Sequence, residues 1–340
     1  MDEGAVFTAT ALASAIGCIL MGVLARYPIG TAPALGINAF FAYSVCLGMG
    51  IPWETALSGV FVASLIFILI TIFKLREMII DAIPADLKYA ISGGIGLFIA
   101  FLGLSEGGII VSNESTLVGL GSLNVGSTWL TIFGLVVTAI LLVRRVPGGI
   151  FIGMAATTIL GLVTGLIPMP SEIVAAAPSL KPTFLVALKH VGDINSLQMW
   201  VVVLTFLLVT FFDTAGTLVG LANQAGFMKD NKMPRVGKAL ASDSTAMLAG
   251  SLLGTSPVGA FVESSAGIAV GGRSGITAIT TGIFFLFRFV LFSITVSCYF
   301  TSTAPALIMV GVLMAQSLRQ IEWGKLEIAI PSFLILIGML

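Results

Sequence analysis

Long apolar stretches, separated by short polar segments, follow one another along the whole chain. A helix that crosses a bilayer needs about 20 predominantly apolar residues. On this pattern the sequence predicts twelve membrane segments, at residues 5–25, 29–49, 53–73, 89–104, 128–143, 150–167, 198–226, 235–253, 257–270, 274–300, 304–318 and 328–340. The predicted fold class is therefore an all-α polytopic membrane protein.

Composition agrees with this prediction and argues against several functions. Hydrophobic residues make up 57% of the chain, charged residues only 9%, and the mean hydropathy is +1.10, whereas about a quarter of the residues in a soluble domain are charged. The net charge is zero, which argues against a nucleic-acid partner. The three cysteines lie in apolar stretches and the single histidine, His190, has no second ligand nearby in sequence, so no metal or cofactor is predicted.

The basic residues are distributed unevenly between the two sides of the membrane. When the segments are threaded alternately across a bilayer, thirteen lysines and arginines fall on one side and only Lys181 and Lys189 on the other. The positive-inside rule makes the first side cytoplasmic. We therefore predict that residues 229–238 are cytoplasmic and residues 112–123 external. The remaining arginine, Arg288, lies inside a predicted segment, and the sequence assigns it no role.

One short motif occurs twice. The tetrapeptide GTAP at residues 30–33 recurs as GTSP at residues 254–257, in the second and ninth predicted segments. These segments are an odd number of spans apart, so equivalent segments cross the membrane in opposite directions, as in an inverted-topology repeat. Proline and glycine disfavour helix, so each segment is predicted to begin extended and to become helical near its middle. Two half-helix N-termini that face each other inside the membrane would form a binding site.

Polar residues within predicted spans are the candidates for function, because they are costly in lipid. They are Asn38, Asp213 and Glu263. A carboxylate removed from bulk water can exchange protons in the physiological range, which suits a proton-coupled carrier. It can also accept hydrogen bonds from the N–H groups of a flat heterocycle, while Phe40 or Phe261 covers the aromatic face. A structural use remains open for each carboxylate, through a helix end or a hydroxyl on a packed helix. Asp243 lies among small hydroxylated residues, which favours capping or packing.

Several sequence blocks resemble the purine permeases of the nucleobase–cation symporter-2 type, in their adenine/guanine/hypoxanthine (AzgA-like) branch. Among them are APALGINAFFAYSV, FFDTAGTLVGLANQAG and GTSPVGAFVESSAGIAVGGRSGITAI. The resemblance implies two inverted repeats of seven spans, which form a core domain (residues 5–73 and 198–300) and a gate domain (residues 87–167 and 304–340). It maps the binding residues of the family onto Asn38, Asp213 and Glu263.

The same resemblance implies how such a protein works. It predicts uptake of adenine, guanine or hypoxanthine across the cell membrane by proton symport with alternating access. The implied partners are the nucleobase, protons and the lipid bilayer, and the proton gradient takes the place of a cofactor. A homodimer and the preferred purine are left open.

The sequence departs from the family pattern at several places. Ala34 and Leu35 stand where the family has Gly and Met, and Thr210 stands where it has an aspartate. About twelve of the fourteen spans are present, which predicts a chain shortened at both ends. We therefore expect that the 340 residues expressed alone do not accumulate purines.

Other functions remain beside purine uptake. One alternative is an anion exchanger of the same fold, although Glu263 is an unsuitable residue for it. A second is an inactive, truncated permease copy. An intramembrane enzyme is not supported, since the sequence shows no Ser/His, His/Glu or metal constellation.

Overall fold

Most of the chain is helical in the computed structural model, which describes residues 1–34, 37–38, 40–82, 84–113, 115–146, 148–167, 178–229, 232–287 and 300–339. The chain divides into two compact units. Unit 1 consists of Met1–Pro84 and Ala176–Val290, and unit 2 of Ala85–Ala175 and Leu291–Leu340. Each unit therefore combines one stretch from each half of the chain. The assignment of the sequence ranges to a core and a gate domain stays a prediction.

The described helices are α1 (Glu3–Leu20), α2 (Trp53–Ile72), α3 (Leu75–Ala82), α4 (Ala85–Glu106), α5 (Gly126–Val143), α6 (Gly149–Val163), α7 (Val186–Lys189), α8 (Leu197–Gln224), α9 (Val236–Leu253), α10 (Ser264–Ala269), α11 (Gly275–Phe287), α12 (Phe300–Ala315) and α13 (Leu326–Met339). The described strands are β1 (Thr31–Pro33), β2 (Ile110–Asn113), β3 (Leu117–Leu120) and β4 (Val258–Ala260). Two π-helical segments (Met21–Ala25 and Phe40–Gly48) and two 3-10 turns (Val191–Asp193 and Gln316–Gln320) complete the described elements.

Five helices in the described residues are long and apolar enough to cross a membrane, namely Glu3–Ala25, Trp53–Ile72, Ala85–Glu106, Gly126–Val143 and Leu197–Gln224. Shorter apolar helices cover Gly149–Val163, Gly275–Phe287 and Leu326–Gly338. All of them fall on predicted membrane segments, which confirms the expected polytopic helical protein. Arg288 belongs to residues 288–299, which lie outside the described residues.

Local chemistry explains where several helices begin and end. The Asp2 carboxylate accepts a hydrogen bond from the Ala5 N–H at 2.7 Å and caps α1, and Ser196 caps α8 in the same manner. Helix α9 ends at Gly254, whose φ of 102° is a conformation that favours glycine. The chain therefore leaves α9 abruptly and enters the second copy of the repeated motif.

Both copies of the motif interrupt their helices, as the sequence predicted. In the first copy the extended strand β1 is followed by helical turns at residues 37–38 and by the π-helix Phe40–Gly48. In the second copy β4 is followed by α10. The proline of the first motif lies in β1, and the proline of the second precedes β4 directly. Each segment is thus extended first and helical afterwards.

The two strands pair with each other, which the sequence did not predict. They are antiparallel, with Thr31 opposite Ala260, Ala32 opposite Gly259 and Pro33 opposite Val258. Antiparallel pairing is what two equivalent segments require when they run in opposite directions. The β1–β4 ladder therefore joins the two repeats through their main chains, inside unit 1.

Helices of unit 1 pack around this ladder. Helix α9 contacts α1 and α2, α1 also contacts α11, and α2 contacts α8. Part of the core is an apolar cluster in which Phe67, Val203 and Phe206 are buried. In unit 2, α4 packs against α12 and α13, and α5 packs against α6 and α12. The β2–β3 hairpin belongs to unit 2 as well.

The charge distribution predicts the orientation of the protein, and single cysteines test it. In a version without its native cysteines, we expect Ser115→Cys, in the exposed turn of the β2–β3 hairpin, to react with an impermeant thiol reagent added to intact cells. Lys232→Cys is expected to react only after the membrane is opened. Labelling of Lys232→Cys from outside would contradict the orientation.

Candidate functional site

Hydrogen bonds continue beyond one end of the β1–β4 ladder, next to the candidate residues. Gly30 precedes β1, and its carbonyl accepts a hydrogen bond from the Phe261 N–H at 3.1 Å. The Gly30 N–H donates to the Ser264 Oγ at 2.9 Å. Non-helical main chain at membrane depth requires such partners, because no bulk water is present to replace them. Gly30 is therefore bonded on both sides to the segment that carries Glu263.

Each strand is also bonded to the helix that precedes it in its own repeat. The Thr31 N–H lies 3.2 Å from the Cys18 Sγ on α1. The Ala260 N–H donates to the Asp243 Oδ1 on α9 at 3.0 Å. Thr31 and Ala260 are opposite each other in the ladder. The Cys18 thiol in one repeat and the Asp243 carboxylate in the other thus each bind one residue of the same ladder pair.

Asp243 is fully buried and makes several further contacts. Its Oδ1 also accepts a hydrogen bond from the Thr214 Oγ1 at 3.3 Å. Its Oδ2 lies 3.2 Å from the Arg76 Nη2 in a buried ion pair. This carboxylate therefore connects α9 with β4, with α8 and with α3, in agreement with the packing use that its sequence neighbours favoured.

Arg76 is the residue near the site that sequence reasoning missed. The charge pattern places Arg76 among the thirteen basic residues of the cytoplasmic side, but its side chain is completely buried. Its Nη1 donates to the Ser244 Oγ at 2.9 Å, and its guanidinium lies 4.3 Å from the centre of the Phe67 ring. An arginine within an amphipathic stretch next to a long apolar helix was the available signal. It did not indicate burial, because the partner, Asp243, is 167 residues away.

The two candidate carboxylates, Asp213 and Glu263, lie on segments of unit 1 that contact each other. Asp213 is half-buried on α8, next to Thr214 in the chain, and Thr214 donates a hydrogen bond to Asp243. Glu263 is half-buried and is the N-cap residue of α10. Helix α8 contacts both β4 and α10. The structure thus brings Asp213 and Glu263 into one region of unit 1.

Asn38 lies on the other repeat. It is exposed, in the helical turn that follows β1, and its N–H donates to the Ala34 carbonyl at 2.8 Å. It follows β1 as Glu263 follows β4, although the distances from the strand ends differ. The roles of Asn38, Asp213 and Glu263 in binding stay predictions.

The two candidate aromatic residues have different surroundings. Phe261 is half-buried, and its ring lies against Gly30 and at 6.5 Å from the ring of Phe285 in an edge arrangement. Phe40 packs edge-on against Phe206 at 5.4 Å, beside Phe41. Phe261 is therefore directly attached to the ladder, whereas Phe40 is part of the apolar cluster between helices. Their contact with a substrate stays a prediction.

Two further observations complete the chemistry of the site. Thr210, one turn before Asp213 on α8, is buried, and its hydroxyl has no hydrogen-bond partner within the described residues. Among the same residues, no group of three or more His, Cys, Asp or Glu side chains is placed to hold a metal ion. The groups available for ligand binding are thus carboxylates, an amide, hydroxyls and aromatic rings.

Two solved structures share the fold of this chain. The chain superimposes on the transmembrane domain of a cyanobacterium bicarbonate transporter, BicA, with a TM-score of 0.61 over 99% of this chain and 95% of that one, at 12% identity. It also superimposes on SLC26A9, with a TM-score of 0.54 over 95% of this chain and 58% of that one, at 10% identity. This fold contains inverted repeats, which confirms the repeat predicted from the two motifs.

The chain belongs to the Permease family (Xan_ur_permease), which it matches over residues 1–340. It is 56% identical to the guanine/hypoxanthine permease PbuG of Bacillus subtilis, over 100% of this chain and 77% of that protein. The adenine permease AdeP of Escherichia coli is 39% identical, over 100% of this chain and 76% of that protein. The protein is thus a multi-pass membrane permease and not an enzyme, which confirms the family and the membrane location expected from the sequence.

Proposed function

We propose that this permease takes up purine nucleobases across the cell membrane, with guanine and hypoxanthine as the preferred substrates. The observation that carries the proposal is the 56% identity with a guanine/hypoxanthine permease along the whole chain. A second guanine/hypoxanthine permease, PbuO of Bacillus subtilis, is 45% identical over 98% of this chain and 78% of that protein. An adenine permease is less similar, at 39%.

The chemistry of the candidate residues fits an oxopurine. Guanine carries adjacent ring and amino N–H groups, and an ionised carboxylate accepts two parallel hydrogen bonds of this kind. Glu263 or Asp213 can supply this acceptor, and the Asn38 amide can donate to a ring carbonyl or nitrogen. Phe261 offers an aromatic face on which a flat base stacks. Guanine and hypoxanthine both carry an N–H in the six-membered ring, whereas adenine carries none there, so adenine satisfies an ionised carboxylate less well.

Proton symport is the energy source that this chemistry favours. When two carboxylates lie close together and are partly shielded from water, the charge of each disfavours ionisation of the other, so one of them readily binds a proton. Glu263 and Asp213 can form such a pair, since α8, which carries Asp213, contacts α10, which begins directly after Glu263. Binding of substrate and proton at one place, followed by exposure of that place to the opposite side, gives coupled uptake.

Uptake of radiolabelled bases tests the proposal. The protein is expressed from its complete coding sequence in a host that lacks its own purine permeases. We expect saturable accumulation of guanine and hypoxanthine that a protonophore abolishes and that bicarbonate does not inhibit. Accumulation no greater than in the empty-vector control would contradict purine transport, and bicarbonate uptake would favour anion exchange.

A further inference from the structure

The buried pair of Arg76 and Asp243 is the strongest feature of unit 1 that purine uptake does not yet use. Arg76 belongs to α3, a short helix between two longer ones, yet it is among the largest fully buried side chains of the described chain. It faces Asp243 and Ser244 on α9, and Phe67 on α2. Burial of a guanidinium is costly unless it is paired and hydrogen-bonded. The partners of this one are supplied by two neighbouring helices.

The pair is connected to the candidate site by one further bond. The Asp243 Oδ1 accepts a hydrogen bond from the Ala260 N–H, and the Oδ2 of the same carboxylate is paired with Arg76. Ala260 is the last residue of β4 and directly precedes Phe261. The same Oδ1 accepts from Thr214, the neighbour of Asp213 in α8. The carboxylate therefore fixes the main chain before Phe261 and Glu263, and the helix that carries Asp213.

Charge is the second connection. Asp243 accepts a hydrogen bond from Thr214, the neighbour of Asp213 in the chain, so its carboxylate lies close to Asp213. Without a counter-ion, Asp243 would place a third negative charge next to two carboxylates. Arg76 is this counter-ion, because its Nη2 lies 3.2 Å from the Asp243 Oδ2. The guanidinium therefore offsets part of the negative charge that Asp243 would otherwise place beside Asp213 and Glu263.

We propose that Arg76 is a positioning residue for substrate and proton binding, and that it acts through Asp243. It has two effects: it balances the charge of Asp243, whose other oxygen holds β4 through the Ala260 N–H, and it reduces the effect of that charge at Asp213 and Glu263. This inference rests on the proposed purine transport. It assigns no contact between Arg76 and the substrate.

Two double variants, compared with Arg76→Met, separate the two effects. Arg76→Met leaves Asp243 buried without its counter-ion, so we expect loss of uptake. Arg76→Met with Asp243→Asn removes both charges, while the amide oxygen can still accept from Ala260. This double variant should regain uptake, since replacing both partners of a buried pair is far less harmful than breaking it. Arg76→Met with Asp243→Leu also removes the side-chain oxygen that accepts from Ala260. Its KM should rise about tenfold above that of the Asn double variant, the size expected for one lost hydrogen bond in a buried site.

Each result is read at equal abundance in the membrane, with Arg319→Met as the matched control because Arg319 is exposed. An Asn double variant as inactive as Arg76→Met would overturn charge cancellation. Equal KM values for the Asn and Leu double variants would show that the hydrogen bond to Ala260 does not position the site. If Arg76→Met is absent from the membrane, Arg76→Lys replaces it: it keeps the charge and should keep uptake, whereas its loss at normal abundance would contradict the inference.

A measurement without substrate distinguishes this inference from purine transport itself. The melting temperature of the purified protein should fall for Arg76→Met and recover in the Asn double variant. If the wild type transports no purine but this recovery occurs, the proposed function is wrong and the pair stands. If the wild type transports purine and no recovery occurs in either uptake or melting temperature, the inference on Arg76 is wrong.

Discussion

Replacement of Glu263 by glutamine is expected to abolish accumulation of purine against a gradient, while exchange of labelled for unlabelled base across the membrane continues. Glutamine has the shape of glutamate and can still form hydrogen bonds, but it cannot bind and release a proton at physiological pH. The steady-state ratio of internal to external base should therefore fall to that of simple equilibration, and a protonophore should have no further effect.

The comparison with two other variants makes this result specific. Glu327→Gln changes an exposed glutamate in the first turn of α13 and should accumulate purine like the wild type. Asn38→Ala removes an amide that carries no titratable proton, so it should raise the KM and keep pH-dependent accumulation. Full accumulation by Glu263→Gln would reject Glu263 as the residue that couples proton and substrate.

The second large effect is expected from Gly30→Ala. A Cβ at residue 30 would lie 2.4 Å from the Phe261 Cε1 and 3.3 Å from two other ring atoms. The backbone of Gly30 is not in the left-handed region, so alanine changes nothing else there. The ring of Phe261 must therefore move away from the ladder. We expect the KM for guanine to rise about tenfold, which corresponds to about 1.4 kcal/mol of lost binding.

Gly192→Ala is the matched control for this substitution, because a Cβ at residue 192 meets no atom within 4 Å. It should leave the KM unchanged. The double variant Gly30→Ala with Phe261→Leu tests the cause: since the smaller side chain removes the clash, its KM should equal that of Phe261→Leu alone. If Gly30→Ala lowers only the amount of protein in the membrane and not its affinity, then the ring of Phe261 is not part of the substrate site.

Local signals predicted the broken segments and the inverted repeat. Proline and glycine at residues 30–33 and 254–257 act on their own main chain, so their effect is visible in the sequence. The pairing of Thr31 with Ala260 was not predictable in the same way. It joins residues far apart in the chain, and strands of three residues are too short to show the alternation by which strands are recognised.

The buried polar network was predicted only in part. The small hydroxylated neighbours of Asp243 favoured a packing use, and the structure shows which groups it holds. Its partner Arg76 looked like one more cation next to a membrane segment, because long basic side chains usually extend from there into water. Whether a cation is solvated or buried depends on which helix packs over it, and this is a property of the tertiary fold.

The pairing of β1 with β4 also restricts how the sequence can change in evolution. Side chains alternate between the two faces of a strand, so an insertion of one residue would turn every following side chain to the opposite face. An insertion between residues 30 and 34 would therefore break the register with residues 258–260 and misplace Asn38 relative to Glu263. Length changes in these two stretches should be absent among functional homologues, even where the neighbouring loops differ freely in length.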